Sequence, residues 1–120
     1  MIAEDIIKCW MFDSEREFTK RVNEWLRSEW FWSYKIRDDS AAEKPFDIVW
    51  IKDWSFYAIE CKYLNKPKKK DYTIDEIEEN SKAKLEIHQY LNLSLILEKQ
   101  WYSYIFTYYD WYLYIIEHHE

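Results

Sequence analysis

Between residues 14 and 29, apolar side chains recur at helical spacing. At about 100° per residue, Phe18, Val22 and Leu26 fall within roughly 60° of Glu15, with Trp25 close by. Glu17, Lys20, Arg21, Asn23, Glu24 and Arg27 lie on or toward the other side. The pattern predicts an amphipathic helix, capped or opened by Ser14, with one carboxylate, Glu15, on its apolar face. Residues 30–37 switch to an aromatic and β-branched run ending in Asp38-Asp39-Ser40, which predicts a strand. Residues 46–51 predict a second strand, Lys52-Asp53-Trp54 a tight turn, and residues 55–63 a third strand antiparallel to the second.

Residues 65–72 form a charged loop in this scheme, and Thr73-Ile74-Asp75-Glu76 has the spacing of a capping box that opens a short helix. Residues 81–98 predict a helix, with Ala83, Leu85, Ile87, Leu91, Leu95 and Ile96 supplying apolar surface. Two β-rich runs, 101–108 and 111–116, flank Tyr109-Asp110 as a closing pair of strands. The order is helix, three strands, helix, two strands. It predicts a mixed α+β (α/β) fold with a central mixed β-sheet of about five strands flanked by helices. A chain of 120 residues without repeat or linker fits one domain, 1–120.

Composition narrows the function classes. Aromatic residues make up 21% of the chain, too many and too patterned for a disordered segment. Glycine is absent. A Walker A loop, a dinucleotide-binding GxGxxG turn and a GxSxG nucleophile elbow each need glycine where backbone meets phosphate or takes a positive φ. All three are excluded, and no nucleotide cofactor is expected. Cys9 and Cys61 are too few for a four-cysteine zinc site or a disulfide framework; a reducing compartment is the simpler expectation, with a single bridge between them left open. Glu4 and Asp5 so early in the chain do not suit a signal peptide, and no uncharged stretch could span a bilayer. A soluble cytoplasmic protein with no membrane partner is expected. The net charge of −6 disfavours a general nucleic-acid coat, yet Lys62, Lys66, Lys68, Lys69 and Lys70 fall within nine residues, so a local basic patch coexists with an acidic total.

The chemistry concentrates on the central pair of predicted strands. Asp47 begins one, and Glu60-Cys61-Lys62 ends the other. Side chains alternate along a strand, so Glu60 and Lys62 share a face. Pairing through a turn near Asp53 sets Asp47 opposite them. Two carboxylates and an ammonium then meet at one end of a hairpin. Carboxylates are the ligands hard divalent cations prefer, and a bound cation polarises a phosphodiester and acidifies a water. A neighbouring lysine can orient that water or steady the developing negative charge.

Asp47, followed after twelve residues by Glu60-Cys61-Lys62, resembles the signature of the PD-(D/E)xK nuclease superfamily, with the proline displaced by one as Pro45-Phe46-Asp47. Glu15-Arg16-Glu17-Phe18 resembles the Glu-Arg-x-Leu start of archaeal-type Holliday-junction resolvases, and His88-Gln89 the His-Gln pair of RecU-type resolvases. The resemblance spans about residues 14–114. It implies a restriction-endonuclease-like core and a Mg²⁺-dependent DNA endonuclease, with Mn²⁺ able to substitute. Asp47 and Glu60 would ligate metal with the Cys61 carbonyl, and Glu15 would join as a further ligand or hold a metal water. Lys62 would position the nucleophile, and Gln89 would support the site or touch the scissile strand. The expected substrate is DNA, branched DNA included, and the leading expectation is a four-way-junction resolvase. Another nuclease of the superfamily (restriction-like, repair or virus-encoded) and a non-catalytic, aromatic-rich assembly protein are the alternatives.

Plainer roles stand beside these. Asp47 alone suits a strand edge or turn, and Glu15 could snorkel at its helix rim or pair with Arg16 or a strand lysine. Lys66, Lys68, Lys69 and Lys70 read equally as a solvated loop or as phosphate-binding surface at the site's mouth. The run from Asp75 to Glu79 suits a solvated helix face, and His88 a satisfied helix residue. His118 and His119 end the chain, where disorder is the default, as a chance pair or a weak adventitious metal site. The aromatic run from Trp101 to Tyr114 suits core and sheet surface. It has rings on both faces, so some must cover a second layer or a partner; a homodimer is expected.

Overall fold

In a computed structural model that describes residues 6–28, 32–36 and 46–119, the elements follow the chain as β1 (Ile6–Lys8), α1 (Glu15–Ser28), β2 (Trp32–Lys35), β3 (Ile48–Lys52), β4 (Ser55–Leu64), α2 (Ile74–Ala83), α3 (Ile87–Glu98), β5 (Tyr102–Tyr109) and β6 (Tyr112–Glu117). The strands make one mixed sheet in the order β1-β6-β5-β4-β3-β2. Among the described strands only β4 and β5 run parallel, and the α2–α3 connection supplies the crossover that parallel neighbours require. The fold is mixed α+β, as the pattern predicts.

Both faces of β4 are covered, which is why its middle is buried from Ala58 to Lys62. Ile59 and Cys61 point toward α1, where they pack with Phe18, Val22, Leu26, Phe106 and Tyr108. Ala58 points the other way, into a second cluster with Leu93 of α3, Ile105 and Ile116. Ile77 of α2 closes a third cluster with Leu64, Tyr109 and Tyr114. The predicted face of α1 is therefore its buried face.

The β3–β4 hairpin has the expected register. Ile48 pairs with Ile59 and Lys52 with Ser55, which leaves Asp53 and Trp54 as a two-residue turn. Both have positive φ, 49° and 64°, the geometry that lets the turn match the twist of its strands and that usually recruits Asn-Gly. Without glycine, the chain puts a 96% exposed tryptophan there. Trp54→Gly should therefore stabilise the fold by about 0.5–1 kcal/mol, the relief of left-handed strain less the added freedom of the unfolded chain. Urea unfolding checks this, and a lower midpoint in the variant would contradict it. The β5–β6 turn is built the same way on Asp110 and Trp111, one residue later than expected, because β5 runs on through Tyr109.

Three expectations need correction. Among the described residues the sheet has six strands rather than about five. The additional strand, β1, is too short for a periodic signal and exists by pairing with β6, Ile6 to Tyr114 through Lys8 to Tyr112. The helix expected over 81–98 starts later: residues 81–83 end α2, the short helix that the Thr73 capping box opens, and only 87–98 form α3. α2 ends at Ala83, Lys84 N–H bonds back to the Asn80 carbonyl, and α3 starts afresh after Glu86. His118 is not disordered: it is 2% exposed, its N–H donates to the Ser103 carbonyl at 2.8 Å, and its ring is packed. His119 pairs with Glu117 at 3.7 Å. Cys9 and Cys61 are free thiols, so no bridge joins them. Burial pushes Cys9 up to about 11, and Cys61 well above the ordinary thiol value. The predicted strand ends at 30, 31 and 37 and the proline of Pro45-Phe46-Asp47 lie outside the described residues. Among the described residues, no helix is long and apolar enough to cross a membrane.

Candidate functional site

Asp47 sits immediately before β3, where its N–H donates to the Ile59 carbonyl at 3.1 Å and its own carbonyl accepts from Ile36 N–H at 2.8 Å. These bonds continue the sheet ladder on both sides and fix the residue at the end of the hairpin away from the turn. Asp47 is 5% exposed, and its Oδ2 accepts from Cys61 N–H at 2.8 Å. The carboxylate thus reaches the middle of the Glu60-Cys61-Lys62 triplet, as the register demands.

Glu60 and Lys62 project toward α3, both almost fully buried. Their meeting point is Gln89. Its Nε2 donates to Glu60 Oε1 at 2.9 Å, and its Oε1 accepts from Lys62 Nζ at 3.0 Å. The Lys62 ammonium also stands 3.6 Å from Glu60 Oε1. A buried charge needs a partner and hydrogen bonds, and here an ion pair and a bridging amide supply them. Gln89 Oε1 accepts a further bond from Glu86 N–H at 3.0 Å, capping the first turn of α3. One side chain therefore both starts α3 and ties it to the two charges on β4.

Glu15 approaches from the opposite face. It opens α1, and its Oε1 accepts from Tyr63 N–H at 3.1 Å. Its surroundings raise its pKa above the ordinary 4.5: desolvation is the largest cause, opposed by Lys62, reinforced by Asp47, and opposed again by the Tyr63 N–H and Lys84. Glu15 therefore lies in the same electrostatic field as Asp47 and Lys62. Asp47, Glu60 and Glu15 also all push up the Cys61 thiol, after desolvation, while a hydrogen bond with Thr19 opposes them. The Cys61 side chain belongs to the α1 core, and its backbone N–H donates to Asp47.

A carboxyl group with a raised folded pKa holds its proton more tightly in the native than in the unfolded chain. Its contribution to stability is complete below about pH 4.5 and is lost as pH rises through the folded pKa. Glu15→Gln, which keeps an acceptor for Tyr63 N–H, should match wild type at about pH 4 and exceed it at about pH 7. Denaturant unfolding at the two values reads the difference, and a variant weaker at neutral pH would count against this account.

Lys84 is a site neighbour that sequence patterning misses. Its Nζ donates to the Tyr63 carbonyl at 2.7 Å, and its charge acts on Glu15. The only signal for it was the helix break, which makes Lys84 a terminal residue instead of one on a continuous helix. The loop lysines differ among themselves. Lys66 is held by Asp71 at 3.5 Å and Asp110 at 3.7 Å, which raise its pKa, Asp110 first. Lys68, Lys69 and Lys70 are exposed. His88 is half-buried and pairs with Glu86 at 3.4 Å. Among the residues 75–79, Ile77 is buried and Glu76 completes the capping box with Thr73, so the acids there serve the helix end and its outer face.

As a metal site, Asp47 and Glu60 supply hard oxygen donors, with Glu15 in the same field. Among the described residues, no three His, Cys, Asp or Glu side chains are set as a ready cage. Mg²⁺ does not need one, since it is commonly held by one or two carboxylates with waters and substrate phosphates. The donor chemistry fits Mg²⁺ or Mn²⁺ and not a softer ion. A cleft of about 390 Å³ opens elsewhere, between β1 and α1, with Cys9, Trp10, Arg21 and Trp25 among its walls; Asp47, Glu60 and Lys62 do not line it.

No protein-family model matches the chain, and no curated protein matches it. Among solved structures, Hjc of Archaeoglobus fulgidus, a Holliday junction resolvase from an archaeal hyperthermophile, is similar over 83% of this chain and 73% of its own, at 16% identity and a TM-score of 0.49. A likeness of that size assigns no role to any residue.

Proposed function

We propose that the chain is a metal-dependent DNA endonuclease that hydrolyses phosphodiester bonds, and specifically a four-way-junction resolvase. The observation that carries this is the closure of Asp47, Glu60 and Lys62 around one stretch of β4, with Gln89 bridging the last two. A buried acid pair beside a buried ammonium is costly to maintain, and a plain sheet position would be served better by apolar side chains.

In this proposal Asp47 and Glu60, with the Cys61 carbonyl, hold Mg²⁺ or Mn²⁺, and Glu15 joins them or binds a metal water. When bound, the ion supplies a Lewis acid for the phosphodiester and lowers the pKa of a water. Lys62, fixed by Gln89 and Glu60, presents its ammonium to the attacking water or to a phosphate oxygen, where it offsets the negative charge that builds as the new P–O bond forms and the old one breaks. Lys68, Lys69 and Lys70, with Lys66, give the DNA backbone a basic approach directly after β4. A homodimer, which would present two such sites to a junction, has apolar surface available on the outward ridge of α3: Ile87, Leu91 and Leu95 are 79, 59 and 50% exposed. Sedimentation as a monomer across the micromolar range would remove that part alone.

The test is incubation with Mg²⁺ or Mn²⁺ and four-way-junction, nicked, linear and single-stranded DNA. Paired symmetric nicks in the junction are expected. Degradation from free ends would favour another nuclease activity, and no metal-dependent cleavage of any substrate would overturn the proposal.

A further inference from the structure

α3 carries Gln89, yet it is thinly anchored. Leu93 is its one buried residue, while Ile87, Leu91 and Leu95 face outward. Ile96 packs partly buried on the same cluster as Leu93 and Gln89 is bonded to β4, and a further set of polar contacts gathers at one point of the sheet. Ser103 Oγ donates to the Leu93 carbonyl at 2.8 Å, and the Ser103 carbonyl accepts from His118 N–H at 2.8 Å. The His118 ring, 2% exposed, then meets α3 twice. Its Nε2 lies 3.1 Å from Ser94 Oγ, and Tyr90 packs edge-on against it with ring centres 5.1 Å apart. Tyr90 is the next residue after Gln89.

We propose that His118 is a positioning residue: by clamping Ser94 and Tyr90 it sets α3 so that Gln89 bridges Glu60 and Lys62. Its bearing on catalysis rests on the nuclease proposal, but the clamp itself does not. The charged and titratable groups around the imidazole are Lys82 of α2, His119 beyond β6 and the Tyr90 phenol of α3. Desolvation, then Lys82 and His119, depress its pKa below 6.5. A depressed imidazole pKa means that the unfolded chain binds the proton first, so the clamp is complete above about pH 6.5 and weakens as pH falls below that value. Release should free α3 before it unfolds the sheet, because the strands are also held by their own ladders and by the core cluster on the α1 side.

Amide hydrogen exchange with NMR of the Gln89 side-chain amide tests this without any cleavage assay. His118→Phe keeps a ring for Tyr90 but loses the bond to Ser94. It should speed exchange in α3 by about tenfold or more relative to β4 and β5 and shift the Gln89 amide signals. His118→Gln, which can still bond Ser94 but does not titrate, should recover protection and lose the pH response that wild type shows below about pH 6.5. Should His118→Phe fail to fold, Ser94→Ala removes the same bond from the helix side and must give the same α3-local change. Unchanged α3 exchange, or equal acceleration in α3, β4 and β5, would overturn the proposal. An α3 response in a protein that cleaves no DNA would refute the nuclease proposal alone.

Discussion

Asp47→Asn should fold and lose cleavage, whereas Asp47→Ala should lose cleavage and stability together. The distinction follows from the two things this carboxylate does. Its Oδ2 is the acceptor for Cys61 N–H at 2.8 Å, in a place where Cys61 is fully buried and Asp47 nearly so. Asparagine can present an oxygen to the same N–H; alanine cannot. The alanine variant strands a buried backbone donor, which costs about 1–3 kcal/mol, and toward the upper end because the acceptor is a charged oxygen. Cleavage depends on the negative charge that would bind the cation, and asparagine removes that charge while keeping the shape. A loss of about a thousandfold or more in single-turnover rate is expected for both variants, equivalent to about 4 kcal/mol in the barrier. Urea unfolding beside a metal-dependent cleavage assay reads both quantities. Wild-type cleavage by Asp47→Asn would remove Asp47 from the chemistry and leave it a structural hydrogen-bond acceptor.

The meeting of these residues was legible to the extent that it depends on local geometry. β3 and β4 have a turn between them and alternation on either side, so the register that pairs Ile48 with Ile59 follows, and with it the closeness of Asp47 to Glu60 and Lys62. α1 shows its buried face through Phe18, Val22 and Leu26, which places Glu15 at the rim. Gln89 was reachable by resemblance, but not its dual role, because that depends on a helix start at Glu86. Residues on both sides of Lys84 have helical character, and no glycine or proline marks the break; Glu86 and Gln89 at capping spacing were the only local sign. β1 and His118 were illegible for a different reason. Both are held by partners far along the chain, Tyr112–Tyr114 in one case and Ser94 with Ser103 in the other. Local pattern carries no trace of such contacts.

The second large effect concerns the buried charge pair. Lys62→Met keeps the length of the side chain but removes the ammonium that lies 3.6 Å from Glu60 Oε1, with the two side chains 8% and 3% exposed. Gln89 can still donate to Glu60, but a buried carboxylate has then lost its compensating charge. Removing one member of such a pair is expected to cost about 3–5 kcal/mol. Glu60→Gln alone strands the ammonium and should be similarly damaging. Joining the two substitutions removes both charges and leaves at position 60 a neutral amide whose oxygen can still accept from Gln89 Nε2, so the double variant should return to within about 1 kcal/mol of wild type, or exceed it. A double-mutant cycle by denaturant unfolding gives the coupling, and a value near zero would mean that the pair is far better solvated than its burial indicates. Cleavage should not follow stability. The double variant would be as inactive as either single one, because a neutral pair neither holds a divalent cation nor offers an ammonium to the phosphate. Stability regained without activity would separate what Glu60 and Lys62 do for the fold from what they do for chemistry. Recovery of cleavage along with stability would show that their charges serve the fold alone.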